Sequence, residues 1–183
     1  MKKRQTQRAR TMKLVLTAMF VAMGMILPLL TGQIKEIGDS LLPMHLPILL
    51  CGLLCGGGWG LTAGLLTPFL RSVSFGMPPL YPNAVWMAAE LGTYGLVIGL
   101  VSALLGNKHT VGRIYFALLS AMLAGRAVWG VAKALLLGVA DKPFTWAMFW
   151  AGGFLDAIPG IVLQLILIPV IALTVQRFQK KGE

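Results

Sequence analysis

Four ionisable side chains, Glu90, Arg126, Lys133 and Asp156, stand in otherwise apolar stretches and are the residues best suited to chemistry. Each would cost about 2.5–3.5 kcal/mol on insertion at a bilayer centre, so such groups face a partner or a polar hollow. Aromatic side chains recur beside them. Trp86, Glu90 and Tyr94 follow i, i+4, i+8, while Arg126, Trp129 and Lys133 recur at spacings of three and four. On a helix, both sets run along single stripes. Trp150, Phe154 and Asp156 cluster further on, with Gln164 deeper. Flat rings and hydrogen-bonding charges in a dry pocket suit a small polar ligand, a heterocycle among them. In that reading Arg126 and Lys133 hold ligand acceptors, Glu90 and Asp156 take its donors, and Trp86, Tyr94, Trp129 and Trp150 pack its ring or chain. The competing reading is two ion pairs, Arg126–Asp156 and Lys133–Glu90, that only fasten helices together. Buried pairs are a poor source of stability, which favours the ligand site.

Other chemistries lack their residues. The sequence has no H-E-x-x-H, no G-x-S-x-G and no Walker A motif, so no catalytic residue, metal site or cofactor is expected and the chain cannot itself couple ATP hydrolysis to transport. An intramembrane enzyme would need clustered His or acidic motifs that are missing. His45 and His109 lie far apart. Cys51 and Cys55, at i, i+4 in an apolar run, read as small packing residues rather than a disulfide or metal pair.

These side chains need membrane helices to position them. The 183 residues are 57% hydrophobic and only 12% charged, with a mean hydropathy of +0.79. Soluble domains are about a quarter charged, and a soluble globule this small could not hide so much apolar surface. A spanning helix needs about 20 mainly apolar residues. Six spans are expected, at 13–31, 43–58, 59–75, 83–105, 112–138 and 146–176. The second and third meet in a tight turn around Gly56-Gly57-Gly58, and the last contains Gly152, Gly153, Pro159 and Pro169, so it should tilt or break. The expected fold is therefore an all-α membrane protein, one bundle and one integral membrane domain over 1–183. It has a basic head at 1–12 and a basic tail at 177–183.

Net charge is +10, and its distribution sets orientation. With the amino terminus inside, eleven basic residues fall on the cytoplasmic side against Lys35, Arg71 and Lys142 outside. That is a strong positive-inside bias and puts both termini in the cytoplasm. No basic face interleaved with aromatics accompanies the high charge, so nucleic acid is not an expected partner. The head is not followed by an A-x-A cleavage site and reads as a retained first helix. At 1.5 Å per residue, Glu90 lies about 10 Å, Lys133 about 8 Å, Asp156 about 15 Å and Arg126 about 18 Å below the outer helix ends. Four charges from three helices thus converge in the outer half of the bundle. Above them, the loop around Glu36 and Asp39 and the Pro-rich loop carrying Met77, Pro78, Tyr81 and Asn83 look like a lid, and His45 could cap the pocket.

Ala18 and Ala22 form A-x-x-x-A in the first helix, a spacing that lets helices approach closely in lipid. With Leu42-Pro43-Met44-His45-Leu46-Pro47, then Gly76-Met77-Pro78-Pro79-Leu80-Tyr81-Pro82-Asn83-Ala84 and Glu90-Leu91, the chain resembles the substrate-binding S component of an energy-coupling factor (ECF) vitamin transporter over nearly its whole length. The resemblance implies a multi-pass protein of a prokaryotic cell membrane that binds one vitamin or related micronutrient at the outer face. The ligand would lie under the first and third outer loops, among helices four to six. It further implies that Ala18 and Ala22 contact a transmembrane coupling (T) subunit, which associates with two cytoplasmic ATPases and powers toppling of the loaded protein. It does not select the ligand; the two cations favour one with an anionic or carbonyl group. The rival is a stand-alone secondary transporter or channel with Glu90 and Asp156 as a proton or cation relay.

Overall fold

Without water to satisfy its peptide groups, an apolar chain short of a closed barrel has only helix open to it. The computed structural model describes residues 2–31, 40–106, 110–139 and 143–181, and no strand occurs among them. The helices are α1 (Lys2–Ile26, continued by a 3₁₀ turn Leu27–Thr31), α2 (His45–Cys55), α3 (Gly57–Phe75), α4 (Val85–Leu104), α5 (Val111–Val139), α6 (Trp146–Trp150) and α7 (Ile158–Lys181). Glu36 and Asp39 of the expected lid, with Lys35, Lys108, His109 and Lys142, lie outside the described residues.

Among the described residues, four stretches are long and apolar enough to cross a membrane: Thr6–Leu30, Leu80–Leu104, Val111–Val139 and Trp146–Val175. The second and third expected spans differ from these. α2 has 11 residues, about 17 Å of helix against about 30 Å of hydrocarbon. Nine of its residues are buried, as expected of a helix apolar all round. It packs against α1, α3, α4 and α7 and separates two apolar clusters. Leu49, Leu50 and Leu53 join Tyr94, Ile98, Ile114, Leu118 and Ile168. Met44, Ile48, Cys51 and Cys55 join Ala63 and Leu91. A single residue, Gly56 at φ 104°, turns the chain from α2 into α3, a conformation that costs glycine little.

The α2–α3–α4 contact is built on small residues. A side-chain carbon at Gly60 would fall 2.5 Å from the carbonyl oxygen of Gly95, and one at Gly64 would run into the Leu91 carbonyl. Backbones meet here directly, as small residues allow in lipid. On α1, Thr17 and Gly24 face the bundle while Ala18, Met19, Ala22 and Met23 are exposed. Cys51 Sγ donates to Thr17 Oγ1 at 3.7 Å. Arg71, counted above among the outer charges, is instead buried in α3; its Nη1 donates to the Met25 carbonyl and its guanidinium lies 5.3 Å from the Phe75 ring.

Both cysteines are free and buried, at 0% and 1% exposure. A maleimide should therefore leave Cys51 and Cys55 unmodified in the native protein in mild detergent and label both in SDS, read by intact mass. Labelling of either thiol in the native state would place it elsewhere than in this core.

Two of the site-bearing elements start with wide turns. Ala84 N–H donates five residues back to the Pro79 carbonyl (3.0 Å), and Asp156 N–H does the same to Ala151 (2.9 Å). In the first turn Tyr81 is extended (φ −127°, ψ 135°). The second is the break anticipated in the last span, and Thr145 caps its leading helix by accepting the Met148 N–H at 3.3 Å.

Candidate binding site

Glu90 is the centre of the polar cluster. It projects from α4 at 2% exposure, and its Oε1 accepts from Arg126 Nη1 of α5 at 2.9 Å. His45 Nε2, at the start of α2, lies 3.3 Å from the same oxygen but is not aligned for a hydrogen bond. One helical turn beyond Glu90, the Tyr94 ring meets His45 edge-on, with centroids 5.1 Å apart at 78°. Tyr94 also lies against Gly125, where an added carbon would sit 2.7 Å from the ring; that absence of a side chain lets α5 bring Arg126 in beside it. Three helices therefore meet at one carboxylate. Some buried nitrogens remain without a hydrogen-bond partner: Arg126 Nε and Nη2 and both His45 nitrogens in the cluster, and Gln164 Nε2 on α7.

Two turns along α5 from Arg126, Lys133 enters a box of rings. Its Nζ lies 4.5 Å from the Trp129 centroid, 5.6 Å from Trp86 and 5.8 Å from Phe144. Each lies within the roughly 6 Å reach of a cation–π interaction. Trp129 is 7% exposed and lies over the wide turn before α7, where a carbon added at Gly152 would be 3.3 Å from the indole. Phe149 continues the aromatic wall, 6.2 Å from Trp129 and stacked at 5.2 Å on Trp146.

The structure brings together Glu90, Tyr94, Arg126 and His45 in one tier, and Trp86, Trp129 and Lys133 in a second. The two ion pairs considered above are not formed: Arg126 takes Glu90, and Lys133 takes the rings. Seven residues separate the two cations on α5, so they cannot both reach the level of Glu90. Asp156 does not join the convergence; it is exposed and has no ion pair among the described residues. The reason is the wide turn. One extra residue in the turn shifts the helical face by about 100° relative to an unbroken helix. Trp150 is 48% exposed and packs on Phe154 at 5.0 Å, away from the Glu90 tier. Met77 and Tyr81 are exposed, and Pro78 and Asn83 half-buried. His45 is 3% exposed and belongs to the cluster rather than to a lid. Phe144 was not anticipated, because it follows α5 in a connection where no helical spacing ties it to Lys133. No group of three His, Cys, Asp or Glu among the described residues could hold a metal ion.

A helical chain with four membrane-length apolar stretches and a polar cluster buried among them is built as a multi-pass membrane protein. The family model of the ECF transporter substrate-specific component matches residues 12–172. The chain belongs to that family and is a substrate-binding transporter subunit. No curated protein and no solved structure matches it.

Proposed function

We propose that the protein captures a vitamin or related micronutrient at the cluster of Glu90, Arg126, His45 and Tyr94, beneath the Trp86–Trp129–Lys133 tier. The observation that carries this is one buried carboxylate that accepts from Arg126 of α5 and lies 3.3 Å from His45 of α2, with buried nitrogens of both residues left without a partner. The charge distribution supports a single membrane domain with both ends in the cytoplasm of a prokaryotic cell. Uptake is driven by two ATPases through a transmembrane coupling subunit docked on Ala18 and Ala22. Both alanines are exposed on α1 beside Met19 and Met23, a small-residue strip of the kind lipid-embedded helices use for close contact. The relay alternative requires Glu90 and Asp156 on one path. Glu90 is instead engaged by Arg126, and Asp156 is exposed.

Replacing both Ala18 and Ala22 with Leu should leave small-molecule binding unchanged and reduce recovery of coupling subunit and ATPases with the tagged protein by about tenfold, since losing close helix approach needs to cost only about 1.4 kcal/mol for that. Accumulation of substrate in vesicles holding only this chain would favour the stand-alone carrier instead.

A further inference from the structure

Resting on that assignment of the site, we infer that the substrate carries a carboxylate, received edge-on by Nε and Nη2 of Arg126. Arginine presents its donors in a fixed planar fork. Nη1 is committed to Glu90, and the opposite edge, formed by Nε and Nη2, is buried and unpartnered. Those two N–H bonds run parallel at the spacing of the two oxygens of one carboxylate, the bidentate pairing through which Arg recognises carboxylates and phosphates. Arg126 is only 4% exposed, so bulk water does not serve this edge.

The remaining polar atoms point the same way. Among the described residues, every buried side-chain atom lacking a partner is a nitrogen: two on Arg126, two on His45 and one on Gln164. No oxygen acceptor is in that condition. The two Arg126 nitrogens can only donate and a neutral His45 imidazole offers one donor more, so a ligand that brings acceptors completes them. A carboxylate fills that one edge with both of its oxygens; a phosphate would pair there as well but would bring a third oxygen and further negative charge beside Glu90, which already holds Nη1.

The test uses the full chain purified into lipid nanodiscs. The small molecule extracted from it is identified by accurate mass and fragmentation, and thermal shifts are recorded with three matched pairs: pantothenate and panthenol, nicotinate and nicotinamide, biotin and its methyl ester. The extracted molecule should contain a carboxylate, and whichever pair binds should do so through the acid, with its neutral partner weaker by about 100-fold for loss of a charged bidentate contact. Arg126→Lys keeps the positive charge but not the fork. It should weaken the acid by a similar factor and narrow the gap between the acid and its neutral partner to about threefold. That difference is one a merely unfolded variant would not show. An extracted molecule without a carboxylate, or a neutral partner that binds as well as its acid, overturns the inference while leaving the binding role standing. A preparation that carries and binds no small molecule overturns the binding role itself.

Discussion

Glu90→Ala is expected to destabilise the protein by about 3–5 kcal/mol, because removing one partner of a buried ion pair leaves the other charge uncompensated. Arg126, 4% exposed, would retain its charge with no carboxylate opposite Nη1, and His45 would lose the oxygen it now approaches at 3.3 Å. Glu90→Gln preserves shape and one acceptor but removes the negative charge, and should recover only a minor part of the loss. Apolar replacement of both partners, Glu90→Leu with Arg126→Met, should be clearly less damaging than the sum of the single changes. Buried pairs replaced together by apolar groups of similar volume are often near neutral. All of these variants should lose ligand binding, which separates the pair's place in the site from its cost in stability. Reversible unfolding in mixed micelles supplies the stabilities. Strict additivity of the two replacements would show that Glu90 and Arg126 do not depend on each other.

That pair also marks where sequence reasoning held and where it stopped. Trp86, Glu90 and Tyr94, like Arg126, Trp129 and Lys133, sit on continuous α-helix, α4 and α5, where a spacing of three or four translates directly into a shared face. Which charge meets which was not legible, since partner choice depends on the axial register of α4 against α5. That register is fixed by Tyr94 lying on Gly125, a tertiary fit invisible in spacing. Asp156 was misplaced because a turn with a five-residue hydrogen bond precedes it, and depth counted along an ideal helix is blind to the resulting rotation. His45, flanked by Pro43 and Pro47, reads as an interfacial residue. Its burial follows from α2 being a short helix enclosed by its neighbours, and that shortness also hid behind an apolar run long enough to suggest a span. The α2–α3 turn at Gly56 was recoverable from glycine alone, because a positive φ is a local demand.

The second large effect concerns residues that touch no charge. Gly64→Val and Gly95→Val should each cost about 3 kcal/mol, the upper end for overpacking, even though glycine is a poor helix former and a substitution removes that handicap. A first side-chain carbon at Gly64 already runs into the Leu91 carbonyl, and one at Gly95 into the backbone of Gly60. Backbone atoms of a packed helix cannot rotate aside as a side chain could, so α3 and α4 must separate. Leu91 neighbours Glu90 in sequence, so the displacement reaches the carboxylate that Arg126 and His45 share. A binding group has to be held within about 0.5 Å of its working geometry, so both variants should lose ligand affinity even at temperatures where they remain folded. Gly58→Ala is the control. Nothing lies within 4 Å of a carbon added there, and it should stabilise by up to about 1 kcal/mol through helix propensity alone. Opposite signs at Gly58 and at Gly64 and Gly95, measured by unfolding and binding on the same preparations, would establish that close helix approach aligns the site. Equal tolerance at all three would mean that the α3–α4 contact does not position Glu90.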